Sequence, residues 1–162
     1  MSVAACLLIP VKVSSRAAVA PDPISFIEGS QDAWSVSQSD AGCFLMSPFR
    51  RGASRLALGS HSKHGFGLYA VGFATSVSIA DPTAPVLVRA GEREITKVGR
   101  MVAPALLFVP LSQAEAGANL QELRGAGVLW LSIGGTWVGH SGRAIAPAAD
   151  LYEKDCAGAA VG

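Results

Sequence analysis

From Ala33 onward, apolar and polar positions alternate or cluster in short blocks, broken by glycine, proline and small polar residues. In "AWSVSQS", Trp34, Val36 and Gln38 fall on one face and Ser35, Ser37 and Ser39 on the other. That is the period of a half-buried strand, with Gln38 as a polar intruder. Asp40-Ala41-Gly42 supplies a turn, and the apolar, aromatic "CFLMSPF" is its partner strand. After a second turn at "RRGAS", the stretches "RLALGSH" and "FGLYAVGF" read as strands around the loop "SKHG". "SVSIA" ends at the turn "DPTAP", "VLVRAG" ends at "GERE", and "ITKVGRM" follows as one strand. "PALLFVPL" is continuously apolar, as expected of a strand buried on both faces.

The period then lengthens. Ser112 opens "SQAE", a Ser-x-x-Glu capping box with Glu115. Ala116, Leu120 and Leu123 recur at i, i+4 and i+7 on one helical face, and Gly125 or Gly127 would end the helix. "GVLWLSIGG" is a strongly apolar strand that "TWVGHSG" continues beyond a Gly-Gly interruption. In "APAADLYEKDC", Ala148, Leu151, Tyr152 and Cys156 line one face of a second helix, with Asp150 and Lys154 able to pair on the other. Strands come first and helices late. That order predicts a mainly β fold of the α+β class: an antiparallel β-sheet or small sandwich with two C-terminal-half helices packed on it.

The N-terminus follows another pattern. "MSVAACLLIPV" is an apolar run of about ten residues, "AVA" ends at Ala20, and "PDP" comes next. An apolar core followed by an A-x-A-like site is the layout of a signal peptide. The basic region that should precede the run is missing, since Lys12 and Arg16 follow it, so the expected leader is a truncated one. A first strand with accidental small residues is the plain alternative, and "VAAC" also offers a lipoprotein-type box ending at Cys6. The expected organisation is a leader over 1–20, a linker over 21–32, one β-rich domain over 33–157 and a tail over 158–162.

Composition narrows the function classes. Half of the 162 residues are hydrophobic and 15% are charged, which excludes general disorder. A net charge of +1 gives no steering toward nucleic acid. No apolar run reaches the ~18–20 residues that cross a bilayer, so no transmembrane segment is expected.

Without the leader, the chain holds two of its three cysteines, Cys43 at the start of a core strand and Cys156 on the apolar face of the last helix. Two such cysteines suit one disulfide in an oxidising compartment; two buried free thiols are the alternative. A Cys–His nucleophile would draw on Cys43, His140 and Asp150, but Cys43 precedes a strand rather than opening a helix that would lower its pKa. "GHSGR" lacks the last glycine of a nucleophile elbow, and no histidine follows Ser141. "DAG" at Asp40 lacks the hydroxyl of the aspartic-protease loop. His61 and His64 in "HSKH" are weak metal candidates, being placed in a turn where exposed imidazoles are the simpler expectation. Between Asp40 and Asp81 no acidic residue occurs, so Arg50, Arg51, Arg55 and Lys63 are candidates for an anion-binding patch. Solvated turns on an apolar stretch would look the same. No cofactor is expected.

Trp34 with "SVSQSDAGCFL", "FVPL" at Phe108–Leu111, "LQEL", "GVLWLSIGG" and the closing "LYEKDC" together resemble the layout of small secreted domains of Gram-negative bacteria, similar to invasion-associated-locus-B-like proteins. The resemblance implies a signal peptide, a β-rich domain and a disulfide, and it implies no catalytic residues. Those proteins carry more cysteines than the two here, so no site is carried over. The expected function is a non-enzymatic binding or structural module of the cell envelope, periplasmic or secreted. Its partner would be a protein, a glycan or an anionic surface. The alternatives are a small hydrolase using Cys43 and His140, and a cytoplasmic β-rich domain.

Overall fold

The structure is a computed structural model, and it describes residues 33–48, 54–72 and 85–156. The expected leader, the linker, the strand "SVSIA", the turn "DPTAP" up to Ala84 and the tail lie outside the described residues.

Among the described residues the chain forms ten strands and two helices. The strands are β1 (Ser35–Ser39), β2 (Gly42–Met46), β3 (Arg55–His61), β4 (Gly65–Val71), β5 (Pro85–Ala90), β6 (Arg93–Val98), β7 (Arg100–Ala103), β8 (Leu106–Pro110), β9 (Val128–Ile133) and β10 (Thr136–Ser141). The helices are α1 (Gln113–Arg124) and α2 (Ala146–Cys156). A six-stranded sheet runs β1-β2-β3-β4-β8-β7 and a four-stranded sheet runs β10-β9-β5-β6. Every pairing is antiparallel. The mainly β architecture with two late helices is therefore as the pattern predicts.

Two details differ from that reading. "ITKVGRM" is not one strand but two, and the chain passes from the smaller sheet to the larger at Gly99. A β-carbon there would lie 2.6 Å from Val86 Cγ2 and 3.0 Å from Leu107 Cδ1, so the corner between the sheets needs a residue without a side chain. "TWVGHSG" does not continue β9; the chain reverses at Gly134-Gly135, both with positive φ, and β10 pairs back along β9. Glycine pairs with φ > 0 are hairpin turns rather than strand interruptions.

One core joins the inner faces of both sheets to the helices. Leu45, Leu56, Leu58, Leu68 and Val109 come from the large sheet. Val86, Val88, Leu129 and Leu131 come from the small sheet, and Leu120, Leu123, Ala149 and Tyr152 from the helices. α1 packs on β5 and β9, α2 packs on β1 and β2, and the helices touch each other, so the pair bridges the two sheets. The capping box forms as expected: the Ser112 hydroxyl accepts from the Glu115 N–H, and the Glu115 carboxylate accepts from the Ser112 N–H at 2.8 Å. In α2, Ala148, Tyr152 and Cys156 are buried, whereas Leu151 is 46% exposed. Asp150 does not need Lys154, because Arg124 of α1 reaches Asp150 at 2.7 Å and Glu153 at 2.8 Å, tying the helices together at their surface.

The large sheet buries its second face as well. Phe44, Met46, Ala57, Tyr69 and Phe108 form a separate cluster there. Phe44 meets Tyr69 edge-on at 5.4 Å, and Tyr69 lies 4.8 Å from Phe108. "PALLFVPL" is indeed buried on both sides through β8.

Candidate functional site

Cys43 and Cys156 form a disulfide, with Cα atoms 5.7 Å apart, inside the range such bonds span without backbone movement. Both residues are buried. The bond fastens the last turn of α2 to β2, beside Leu45. It also removes the hydrolase alternative: a sulfur held in a disulfide offers no thiolate, so Cys43 cannot pair with His140 as a nucleophile. Asp150, the third member of that set, is held at the surface by Arg124.

The expected basic patch is not one surface among the described residues. Arg55 is 1% exposed, and its Nε donates to the Ser47 carbonyl at 3.0 Å. Burial holds its pKa below the usual arginine value. Lys63 lies in the turn at the far end of the seven-residue β3, roughly 25 Å along the strand. Arg50 and Arg51 lie outside the described residues.

His61 and His64 do flank the β3–β4 turn, and their rings stack at 4.7 Å. Contrary to expectation, His61 is buried, because the alternation of β3 turns it to the same face as Phe44 and Tyr69. Among the described residues no group of three or more His, Cys, Asp or Glu side chains is placed to hold a metal ion. Beside this turn, His64, Phe66, Val98, Arg100, Phe108 and Pro110 line an open groove of about 470 Å³. Arg100 bridges it, donating to the His64 carbonyl at 3.1 Å with its guanidinium over the Phe108 ring.

His140 is buried on the inner side of β10, and its Nε2 lies 3.3 Å from the Ser54 hydroxyl. Burial pushes its pKa down to about 4, so the ring is neutral near pH 7. Ser54 and His140 have nucleophile-to-base spacing, but catalysis also needs a group that orients the base and donors for an oxyanion. Burial lowers the basicity that a catalytic histidine needs.

The most distinctive exposed surface is the outer face of the four-stranded sheet. Period-two alternation turns Leu129, Leu131 and Ile133 inward and Trp130 outward, where it is 40% exposed. Register sets Trp130 between Arg89 on β5 and Gly139 on β10. A β-carbon at Gly139 would stand 2.9, 2.8 and 3.0 Å from Trp130 Cε3, Cζ3 and Cη2. Three consecutive ring atoms at nearly one distance mean that the indole meets β10 with its face, not its edge. It lies flat across the strand because position 139 has no side chain, and its other face is turned outward. Two residues away on β10, Trp137 shares this face, about 7 Å along the strand. The Arg89 guanidinium stacks 4.4 Å from the Trp137 ring centre. Arg89 is fixed by Glu94 on β6, whose Oε2 accepts from Nε at 2.9 Å and Nη2 at 2.6 Å. Reading the sequence for nucleophiles and metal ligands passed over these residues. The signal was present: an indole at an outward position of "VLWLSI", and a glycine at an outward position of "TWVGHS". No helix among the described residues is long and apolar enough to cross a membrane. No protein-family model, curated protein or solved structure matches this chain.

Proposed function

We propose that this chain is a non-enzymatic recognition module of the bacterial cell envelope, exported, disulfide-stapled, and binding through the outer face of its four-stranded sheet. The observation that carries the reading is the exposed indole of Trp130, laid flat over Gly139 beside the Trp137–Arg89 stack. Exposed tryptophan and arginine are the side chains most often found dominating recognition surfaces. They cost a protein solubility when left bare, so a pre-positioned pair is a surface with a purpose. Export is supported by the buried Cys43–Cys156 bond, since such bonds persist outside the reducing cytoplasm. Kinship with the secreted domains of invasion-associated-locus-B-like layout belongs to the same proposal and rests on the order of segments.

The test is co-sedimentation of the purified full chain with two envelope fractions, isolated sacculi and outer-membrane vesicles. The wild-type chain should pellet with at least one of them, and Trp130→Ala with Trp137→Ala should lose most of that binding while keeping its circular dichroism spectrum. Binding to neither fraction, or equal binding by the double variant, would count against this face. An alkaline phosphatase fused after residue 32 should be active when expressed; an inactive fusion argues against export.

A further inference from the structure

We infer that the outer face of the four-stranded sheet is a carbohydrate platform: Trp130 and Trp137 stack pyranose rings of an uncharged polysaccharide, and the Arg89–Glu94 pair hydrogen-bonds their hydroxyls. This rests on the proposed binding role of the face and names its ligand class.

Three features carry it. The first is shape. A pyranose with equatorial substituents is a flat disc whose axial C–H bonds carry slight positive charge, and the face of an indole carries the negative lobe of its quadrupole. Trp130 presents such a face, parallel to the sheet and open to solvent, because Gly139 lets the ring lie down. A ring standing on edge would present a wedge suited to a cleft instead.

Hydrogen-bonding geometry is the second. Vicinal hydroxyls pair best with planar groups that offer two atoms side by side. Glu94 engages Arg89 through Oε2 alone, so among the described residues Glu94 Oε1 and Arg89 Nη1 have no hydrogen-bond partner. An acceptor and a donor are thus set beside the indoles in a frame held rigid by the ion pair and by the stack on Trp137.

The third feature is charge. Arg89 is already neutralised by Glu94, so the face carries no surplus cation to attract an anionic polymer. Thr96 and Ser141 add small polar side chains to this outward face, which also carries the half-buried Leu87 and Val128 and the buried Ser132. Val98, the strongly exposed aliphatic residue of this face, sits at its far corner on β6. Trp137 stands about 7 Å along β10 from Gly139, over which the Trp130 ring of β9 lies, so two neighbouring sugar rings of one chain can be engaged together.

Affinity electrophoresis of the full chain through gels containing hydroxyethyl-cellulose, glycol chitin or laminarin tests the inference, with dextran sulfate as the anionic comparison. At least one neutral polysaccharide should retard the protein, Trp130→Ala should weaken retardation at least tenfold, and Gly139→Val should weaken it by lifting an indole that is still present. Far-ultraviolet circular dichroism and an intact Cys43–Cys156 bond establish that both variants are folded. Retardation by none of the three neutral polysaccharides overturns the inference, as does retardation that Trp130→Ala leaves unchanged, or binding confined to dextran sulfate. The wider recognition role fails separately. If sacculi or vesicles still bind in a Trp130-dependent way and none of the neutral polysaccharides competes, the face is a recognition surface for something other than a neutral glycan.

Discussion

Breaking the Cys43–Cys156 bond should cost more stability than any other single chemical change to this protein. The two residues are 113 positions apart, so the bond closes most of the domain into one loop. In the chain-entropy model a loop of that length loses about 4.8 kcal/mol of denatured-state entropy at room temperature, and measured values often fall short of this. For a domain of this size 1 kcal/mol moves Tm by about 4 °C, so the expected drop is roughly 10–20 °C. Reduction is the cleanest perturbation, because each thiol formed is still a small apolar side chain in the same buried place. Cys43→Ala/Cys156→Ala should reproduce most of the effect, whereas a single serine would add the cost of a buried hydroxyl.

The assay is thermal and urea unfolding with and without reductant, on protein whose thiols have been counted by alkylation and intact mass. In the oxidised, denatured chain neither Cys43 nor Cys156 should be alkylated. Hydrogen exchange adds a local readout: α2 should lose protection first on reduction, because the bond holds its last residue to β2. A Tm difference below about 3 °C would refute the reasoning, since it would mean that the denatured chain gains little freedom when the loop opens. Rapid alkylation of Cys43 in the native, unreduced protein would refute it more directly.

His140 gives the fold a pH dependence whose sign is fixed. Its folded pKa is lowered to about 4 by burial, so between that value and the ordinary histidine range the unfolded chain binds a proton that the folded chain refuses. Stability should therefore be full above about pH 6.5 and fall by up to about 3 kcal/mol on the way to pH 4, and His140→Leu should flatten that slope in urea titrations. Ser112→Ala removes the hydroxyl that accepts from Glu115 N–H and should cost about 1 kcal/mol in urea unfolding. Lys97 and the Ser112 cap together hold the Glu115 carboxyl down to about 2, so its stabilising contribution is present above the ordinary glutamate range and lost as the pH falls toward 2, a shift that NMR titration would register. Ala126 follows the end of α1 with φ +61°, a conformation that disfavours a β-carbon, so Ala126→Gly should raise Tm by a few degrees.

The fold was legible where local physics decides it. Alternation or short apolar runs between turn residues marked most of the described strands, and the Ser112–Glu115 box marked the start of α1 to the residue. The pairing of Cys43 with Cys156 followed from two cysteines on apolar faces. Legibility failed where a residue's meaning depends on a partner far along the chain. Arg55 looked like part of a surface patch, yet the face of β3 it occupies is buried and its guanidinium bonds Ser47. Arg89 gave no local signal, because its stack on Trp137 spans two strands and 48 positions. Gly134-Gly135 read as an interruption because a hairpin and a broken strand share the same composition.

The two sheets use their second faces differently. The six-stranded sheet buries both its faces, one in the common core and one under the Phe44–Tyr69–Phe108 cluster. Glycine serves packing on that second face: a β-carbon at Gly59 would meet Phe44 Cδ1 at 2.8 Å, and one at Gly67 would meet Phe108 Cε2 at 2.9 Å. The four-stranded sheet leaves Trp130 partly exposed on its outer face, and Gly139 does for Trp130 what Gly59 does for Phe44. The difference is what lies above the ring. Phe44 is 3% exposed, so its laid-down ring is a core feature, whereas Trp130 is 40% exposed. The same local device therefore buries a ring in one sheet and leaves a ring partly exposed in the other, where the proposed stacking surface lies. A Gly139→Val variant separates the two uses. It displaces an exposed ring and leaves the inward row Leu129, Leu131 and Ile133 untouched, so it should change Tm by no more than a few degrees while weakening ligand stacking. A large loss of stability would mean that Trp130 belongs to the packing after all.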